Sequence, residues 1–317
     1  AHVACWVGQS HTEHFGYPSW ATESTDALKK QYCEVLDQSL YTANFPENTT
    51  CDILIVGGGG GGGRWRAGGG GGDVLYFQNI TLNGTYNIKV GKGGGVPRST
   101  SSVHHYGGFS GETSSITGGN NSYILNVNAG GGGGAGGWNL DALDGNIVSY
   151  TNPLTGNTEN SSGGGAGAGN TVNGMTPKSG NGVSGNGGQG NYDGWENSAN
   201  DGAGGGGGGG GGGTNGHGGI PSGETGGLGG DGETIDITGN SIMYGKGGNG
   251  WGNNDPTPII TPPNIGQGGA GAEYNSGIHI AGGSGIVIIR YKTTIKFESY
   301  SDNKVEKVLE NKGGTNI

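Results

Sequence analysis

Short runs of apolar and β-branched residues, separated by glycine, recur along most of the chain and predict β-strands. Residues 52–56 read DILIV and lead directly into seven glycines, whereas residues 285–291 read GIVIIRY. Nearly continuous apolar runs of this kind are typical of strands buried on both faces. The two runs bracket the glycine-rich part of the chain, and we therefore expect them to lie in one sheet.

Three further segments with strand-forming residues lie between these two runs. Residues 73–79 (DVLYFQN) and 84–90 (GTYNIKV) flank residues 82–84, where Leu-Asn-Gly predicts a turn. Residues 122–128 (SYILNVN) form another β-prone segment, and residues 293–297 continue the last strand with alternating polarity. The pattern predicts a mainly β fold.

The first 51 residues contain little glycine and predict a small mixed region with one helix. An apolar residue recurs at every fourth position from Thr25 to about Tyr41, and Thr25 is a suitable N-cap. Residues 44–46 (Asn-Phe-Pro) are expected to end this helix. The recurring apolar residues are Leu28, Tyr32, Leu36 and Leu40.

Glycine dominates the rest of the chain, with 82 of 317 residues and ten in succession at residues 204–213. Fixing a glycine backbone costs about 1–2 kcal/mol, so long runs either remain flexible or pack as extended helices. The polyproline-II conformation has three residues per turn and rises about 3.1 Å per residue. We predict that the runs at residues 57–63, 68–72 and 204–213 are ordered as polyglycine-II helices packed into a bundle.

Composition bears on the choice between order and disorder. Hydrophobic residues other than glycine make up 29% of the chain, against a usual range of about 45–50% on a count that includes glycine, and low hydrophobicity with high glycine content is also typical of disordered chains. Six Trp, thirteen Tyr and the β-prone segments favour an ordered domain.

Charge and hydropathy argue against two kinds of partner. The net charge is −10 with only fifteen Lys and Arg, so we expect no nucleic-acid partner. No apolar run approaches the roughly 20 residues of a transmembrane helix. The chain begins at Ala1, which predicts that a preceding segment, plausibly a signal peptide, has been removed.

Three cysteines, Cys5, Cys33 and Cys51, all lie in the first 51 residues. An odd number predicts one intramolecular disulfide and one thiol that is free or bound to another chain. A zinc site is the alternative, although its spacing matches no common pattern, and we expect no metal or other cofactor. Its ligands would come from His2, Cys5, His11, His14 and Cys33.

Five Asn-x-Ser/Thr sequences are candidate N-glycosylation sites. Together with the processed N-terminus, they favour a secreted glycoprotein. The asparagines are Asn48, Asn79, Asn83, Asn120 and Asn160.

Two patterns superficially indicate nucleotide binding. Residues 52–63 satisfy the glycine spacing of a dinucleotide-binding loop, but the following Arg64-Trp65-Arg66 and five more glycines cannot open the helix that such a site needs. Lys92 and Lys246 each follow a glycine without the rest of a phosphate-loop motif, and both predict turns after strands. No spacing resembles a catalytic site, and we expect no enzyme activity.

Four tryptophans lie among glycine or polar turn residues. Aromatic side chains on rigid turns bind sugars or partner proteins at low entropic cost. Alternatively, they cap the glycine bundle or pack on the strands. These residues are Trp65, Trp138, Trp195 and Trp251.

The combination of DILIVGGGGGGG, GTYNIKVGKGGG and AGGSGIVIIRY resembles the glycine-rich domain of phage tail and tail-tip proteins and of proteins from large algal viruses. The resemblance covers residues 51–291. It implies glycine helices in a hexagonal bundle and a structural or adhesive role outside the cell or on a virion, without enzyme activity.

We therefore expect an N-terminal segment (1–51), a glycine-rich domain (52–291) and a C-terminal strand and tail (292–317). The expected function is a self-assembling fibre or appendage subunit whose partners are copies of itself. One alternative is a receptor-binding adhesin at a tail or fibre tip, in contact with a cell-surface glycan or protein. A second alternative is an ice-binding protein.

Overall fold

The computed structural model describes most of the chain between residues 40 and 291. Within the described residues lie ten β-strands, one short 3-10 helix and no α-helix, so the mainly β fold is confirmed. The described residues are 40–63, 67–95, 107–137, 141–167, 218, 226–251, 261–272 and 280–291, with the backbone of residues 2–7. The strands are β1 (His2–Val7), β2 (Leu40–Val56), β3 (Val74–Lys89), β4 (Ser114–Gly118), β5 (Leu125–Ala129), β6 (Ile147–Thr151), β7 (Thr158–Ser162), β8 (Glu233–Ile235), β9 (Ile242–Tyr244) and β10 (Ile286–Tyr291), and the 3-10 helix is Asn121–Tyr123.

Six strands form one antiparallel sheet in the order β1-β10-β2-β3-β4-β5, and β6–β7 and β8–β9 form two separate hairpins. Strand β10 pairs with the second half of β2, with Ile286 opposite Val56 and Tyr291 opposite Cys51. This confirms the expectation that the two apolar runs lie in one sheet. Their pairing brings the two ends of the glycine-rich region together.

The predicted helix does not extend to Tyr41, because its expected last residues lie in β2. Leu40 and Tyr41 are the first residues of this 17-residue strand. They pair with Lys89 and Ile88 of β3, and this pairing overrides the four-residue apolar spacing. Residues 25–39 lie outside the described residues. Strand β2 also runs through Cys51, where the N-terminal segment was expected to end.

The turn expected at residues 82–84 is wrong, because β3 runs through it as one 16-residue strand. Strand β2 is long enough to pair with both halves of β3. Two residues inside β3 have positive φ, 58° at Asn79 and 98° at Gly84, and only Gly84 belongs to the expected turn. Register shifts in the β2–β3 pairing occur next to these positions. The Asn83-Gly84 pair therefore lies at an irregularity of the strand and does not reverse the direction of the chain.

The sheet folds back on itself and encloses a core. Ile289 of β10 belongs to the same buried cluster as Ile116 of β4 and Val127 of β5, although β2 and β3 separate these strands in the sheet order. The Ser114 hydroxyl, at the start of β4, also donates a 2.6 Å hydrogen bond to the carbonyl oxygen of Val56 at the end of β2. The strand ends that lead into the glycine segments are therefore held together.

The β8–β9 hairpin covers the other face of β2 and β10. Leu54 and Ile288 form a second buried cluster with Ile235 and Tyr244 of the hairpin. Both faces of these two strands are thus buried, which is why their sequences read as nearly continuous apolar runs.

Candidate functional site

The glycine segment at residues 57–63 has a hydrogen-bonding pattern that repeats every three residues. Successive amides donate in turn to segment 67–73, to segment 107–112 and to segment 280–285, and the cycle then begins again. The N···O distances are 2.8 or 2.9 Å. The amides of Gly57, Gly60 and Gly63 donate to the carbonyl oxygens of Asp73, Gly70 and Ala67, respectively. Those of Gly58 and Gly61 donate to Glu112 and Phe109, and those of Gly59 and Gly62 donate to Gly283 and Ile280.

The carbonyl oxygens of this central segment bond to three further segments, at residues 91–95, 130–137 and 266–272. Six segments therefore surround residues 57–63 through backbone hydrogen bonds alone. The amide of Gly94 donates to the carbonyl oxygen of Gly59. The amides of Gly132 and Ala135 donate to Gly58 and Gly61, respectively, and those of Gly269 and Ala272 donate to Gly60 and Gly63.

Close packing of these segments explains why the central run is pure glycine. A Cβ placed on Gly60 would lie 1.9 Å from the carbonyl oxygen of Gly133, and one on Gly58 would lie 2.0 Å from that of Lys92. Contacts below 3.0 Å with backbone atoms cannot be relieved by a side-chain rotation. The central segment therefore admits no side chain larger than hydrogen.

Segments at the rim of this lattice carry a side chain at every third residue. Leu228 and Asp231 are exposed on one such segment, and Lys246 and Asn249 project from its neighbour, while the intervening glycines are mostly buried. The three-residue spacing in GLGGDG and GKGGNG is a sequence signal of this geometry, and it differs from the patterns that predict strands and turns. Lys246 follows β9, as expected, but it begins a glycine segment that bonds to its neighbour.

Buried serines fix the junctions between strands and glycine segments. The Ser114 oxygen accepts a 2.9 Å hydrogen bond from the amide of Gly91 while its hydroxyl donates to Val56. The Ser161 oxygen likewise accepts from the amide of Gly130 at 2.9 Å and its hydroxyl donates to the carboxylate of Asp73. Each serine thus ties the first glycine after a strand to a second element.

Asp73 is a fully buried carboxylic acid at the end of segment 67–73. Its Oδ2 accepts the Ser161 hydrogen bond, whereas Oδ1 is buried without a hydrogen-bond partner in the described part of the chain. Burial raises the pKa of Asp73 to about 7, the Ser161 hydrogen bond opposes the rise, and the charge of Glu233 adds to it. No sequence pattern indicates that Asp73 is buried, because it precedes an ordinary β-prone segment.

Among the cysteines, Cys51 is a free thiol that is 2% exposed. Its Sγ donates to the carbonyl oxygen of Thr49 at 3.4 Å, and burial raises its pKa to about 12. The described residues contain no disulfide. Cys33 lies outside them and only the backbone of Cys5 is described, so the predicted intramolecular disulfide, which Cys51 does not form in this structure, stays a prediction.

Three of the five candidate glycosylation asparagines form a chain of side-chain hydrogen bonds. The amide nitrogen of Asn120 donates to Asn83 at 3.1 Å, that of Asn83 to Asn48 at 2.7 Å, and that of Asn48 to the Tyr123 hydroxyl at 2.9 Å. This chain links β2, β3 and the 3-10 helix.

The other two candidate asparagines are exposed on strands. Asn79 lies beside the irregularity in β3. Asn160 lies on β7, and its Oδ1 accepts a 3.0 Å hydrogen bond from the Ser149 hydroxyl. Whether any of the five carries a glycan stays a prediction.

Several expected features lie outside the described residues. They include three of the four contact tryptophans, whereas Trp251 is described and half-buried at the end of a glycine segment. Within the described ranges no three His, Cys, Asp or Glu side chains come together as metal ligands. No helix in that part of the chain is long and apolar enough to cross a membrane. The features outside are Trp65, Trp138, Trp195, His11, His14 and residues 204–213.

These observations define a class of protein in which a folded-back antiparallel sheet continues into a lattice of glycine segments. The chain matches the family model of the glycine-rich domain over residues 36–292 and therefore belongs to that family. The match contains every strand from β2 to β10. No curated protein matches the chain.

Proposed function

We propose that this protein is a non-enzymatic structural subunit that assembles with copies of itself outside the cell or on a virion surface. In this proposal the glycine segments form a polyglycine-II bundle that acts as a rigid body. The three-residue hydrogen-bond cycle of residues 57–63 carries the proposal, since three residues per turn is the period of that helix.

A bundle of this kind suits a load-bearing part. Seven residues in this conformation extend about 22 Å, and the central segment is bonded to neighbours on all sides along that length. Because no side-chain rotamers are involved, little local motion is available to such a segment. The arrangement offers stiffness rather than a catalytic cavity.

Self-assembly follows from the composition of the chain. With 29% hydrophobic residues, a single copy has little apolar area to offset the entropy lost on folding. Contacts with further copies would add stability by mass action. Residues 293–317 lie outside the family match and are the part that we expect to contact a neighbouring copy, because β1, within residues 1–35, already pairs with β10 of the same chain.

Electron microscopy of the purified full-length chain tests this proposal directly. We expect filaments or regular assemblies in negative stain, and we expect deletion of residues 293–317 to give unassembled protein that keeps the β-sheet circular-dichroism spectrum. A full-length chain that stays monomeric at high concentration would overturn the proposal and favour an adhesin.

A further inference from the structure

We propose that the outer face of strands β2–β5 binds an uncharged linear polysaccharide that lies across the strands. This inference goes beyond the scaffold role and does not depend on self-assembly. It rests on the side chains that four neighbouring strands turn to solvent. We define the polar face as Thr42 and Asn44 of β2, Thr85 and Asn87 of β3, Ser115 and Thr117 of β4, and Asn126 and Asn128 of β5.

Alternation along each strand produces the polar face. In β3, for example, Tyr86 and Ile88 are buried in the core, whereas Thr85 and Asn87 are exposed. Every member of the polar face so defined carries a hydroxyl or an amide, and the same side of the sheet continues past it to Leu40 and Lys89, which pair with each other. This face is distinct from the outer face of β10, which is apolar and covered by the β8–β9 hairpin.

The pairing register arranges these side chains in rows across the sheet. Thr42 lies opposite Asn87, Asn87 opposite Thr117, and Thr117 opposite Asn126. Neighbouring strands are about 4.8 Å apart, which is similar to the spacing of pyranose units along an extended β-linked chain. A polysaccharide lying across the strands can therefore place successive sugar rings over successive members of the row.

The row retains hydrogen-bonding capacity for a ligand. Among the described residues, the side chains of Thr42, Asn87, Ser115 and Thr117 form no hydrogen bond. Each hydroxyl can donate and accept, and an asparagine amide offers two N–H groups and a carbonyl oxygen. Sugar hydroxyls, which also donate and accept, are suited to this mixture.

Charge and composition argue against other classes of partner. Lys89 follows Asn87 on the same side of β3 and pairs with Glu112 at 3.9 Å, so among the described residues this side of the sheet offers phosphate no cation without an acidic partner. A net charge of −10 repels acidic polysaccharides. The polar face also lacks the aromatic, Met and Arg side chains that form the centres of protein interfaces.

Depletion binding to microcrystalline cellulose and to chitin, with the full-length chain, tests the proposal. We expect saturable binding to at least one of them. Asn87→Ala and Thr117→Ala should each weaken affinity about three- to tenfold, the effect of losing one contact of about 0.6–1.4 kcal/mol. Matched controls are Asn157→Ala, in the exposed β6–β7 turn, and Leu228→Ala, with a side chain 71% exposed.

Three results would overturn the polysaccharide proposal. Absence of wild-type binding to both polysaccharides overturns the proposal, and so does binding that the two variants leave unchanged while their thermal unfolding matches the wild type. Adsorption to growing ice crystals that Asn87→Ala abolishes, without polysaccharide binding, would assign the face to ice. Asn87→Gln keeps the amide and should restore most of the affinity lost in Asn87→Ala.

Discussion

Arg290 and Asp52 lie directly opposite each other in the β10–β2 pairing, and the guanidinium donates to the same carboxylate oxygen from Nε at 3.0 Å and from Nη2 at 2.8 Å. Asp52 also accepts the backbone amide of Asn79 through its other oxygen, at 3.0 Å. Arg290 Nη1 donates to the carbonyl oxygen of Ile237, beside the β8–β9 hairpin, at 3.3 Å. One ion pair therefore joins the paired strand ends, the irregular part of β3 and the hairpin.

Replacement of Arg290 by Met should lower the free energy of unfolding by about 1–3 kcal/mol, because a partly buried carboxylate loses its charged donors. Lys89→Met is the matched control. Lys89 and Glu112 are 3.9 Å apart with side chains 43% and 44% exposed, so its loss should cost less than about 1 kcal/mol. Denaturant titration of both variants measures the difference, and equal losses would contradict the importance given to the Asp52 pair.

Alanine at Gly60 should destabilise the protein by about 3 kcal/mol or more, because its Cβ would meet the Gly133 carbonyl oxygen at 1.9 Å. Gly239→Ala is the control. Gly239 has a φ of 93° but nothing within 4 Å of the added Cβ, so only backbone strain of about 1–2 kcal/mol is expected. Thermal unfolding compares the two. A Gly60 variant as stable as the Gly239 variant would mean that the central segment can move apart.

The buried acid Asp73 should make stability fall as pH rises. Its pKa in the folded protein is about 7 against an ordinary value of 3.8, so between these values the folded state binds the proton that the unfolded state has released. Linkage then requires the free energy of unfolding to decrease from about pH 4 to about pH 7.

Asp73→Asn removes this ionisation and should flatten that part of the pH profile. Denaturant unfolding between pH 4 and pH 8, expressed as the difference between wild type and variant, isolates the contribution of Asp73. Parallel profiles across this range would show that the carboxyl group does not titrate there.

Ser114→Ala should cost about 1–3 kcal/mol, because it leaves the buried amide of Gly91 and the buried carbonyl of Val56 without this partner. Ser115→Ala, one residue later, removes a half-buried hydroxyl that bonds to no described residue, and should change stability by less than about 0.5 kcal/mol. Hydrogen exchange offers a second measurement, since only Ser114→Ala should speed exchange of the Gly91 amide.

Sequence patterns predicted the parts of the fold that side chains determine. The apolar runs that contain Val56 and Ile286 were long enough to indicate burial on both faces, and these two residues are indeed opposite each other. The start of β2 at Leu40 was missed, since a four-residue spacing of apolar side chains also fits a helix and only pairing with Lys89 decides the matter.

The lattice could be predicted only in outline, because glycine carries no side chain to show which neighbours it contacts. Nothing in the residues around Gly60 identifies Gly70 as its acceptor, 10 residues away. The buried position of Asp73 and its contact with Ser161 were likewise hidden, since the two residues are 88 positions apart.

A segment joined to its surroundings by amide hydrogen bonds rather than by apolar contact has a thermal consequence. Heat capacity rises on unfolding when apolar surface meets water, by about 12–15 cal/mol/K per residue in ordinary domains, and residues 57–63 bury backbone instead of hydrocarbon. Their contribution to the curvature of stability with temperature should therefore be small. Cooling weakens the stabilisation of a hydrocarbon core, whereas the backbone hydrogen bonds of this lattice should lose little of theirs. The glycine segments should therefore stay ordered at lower temperatures than the sheet that carries them.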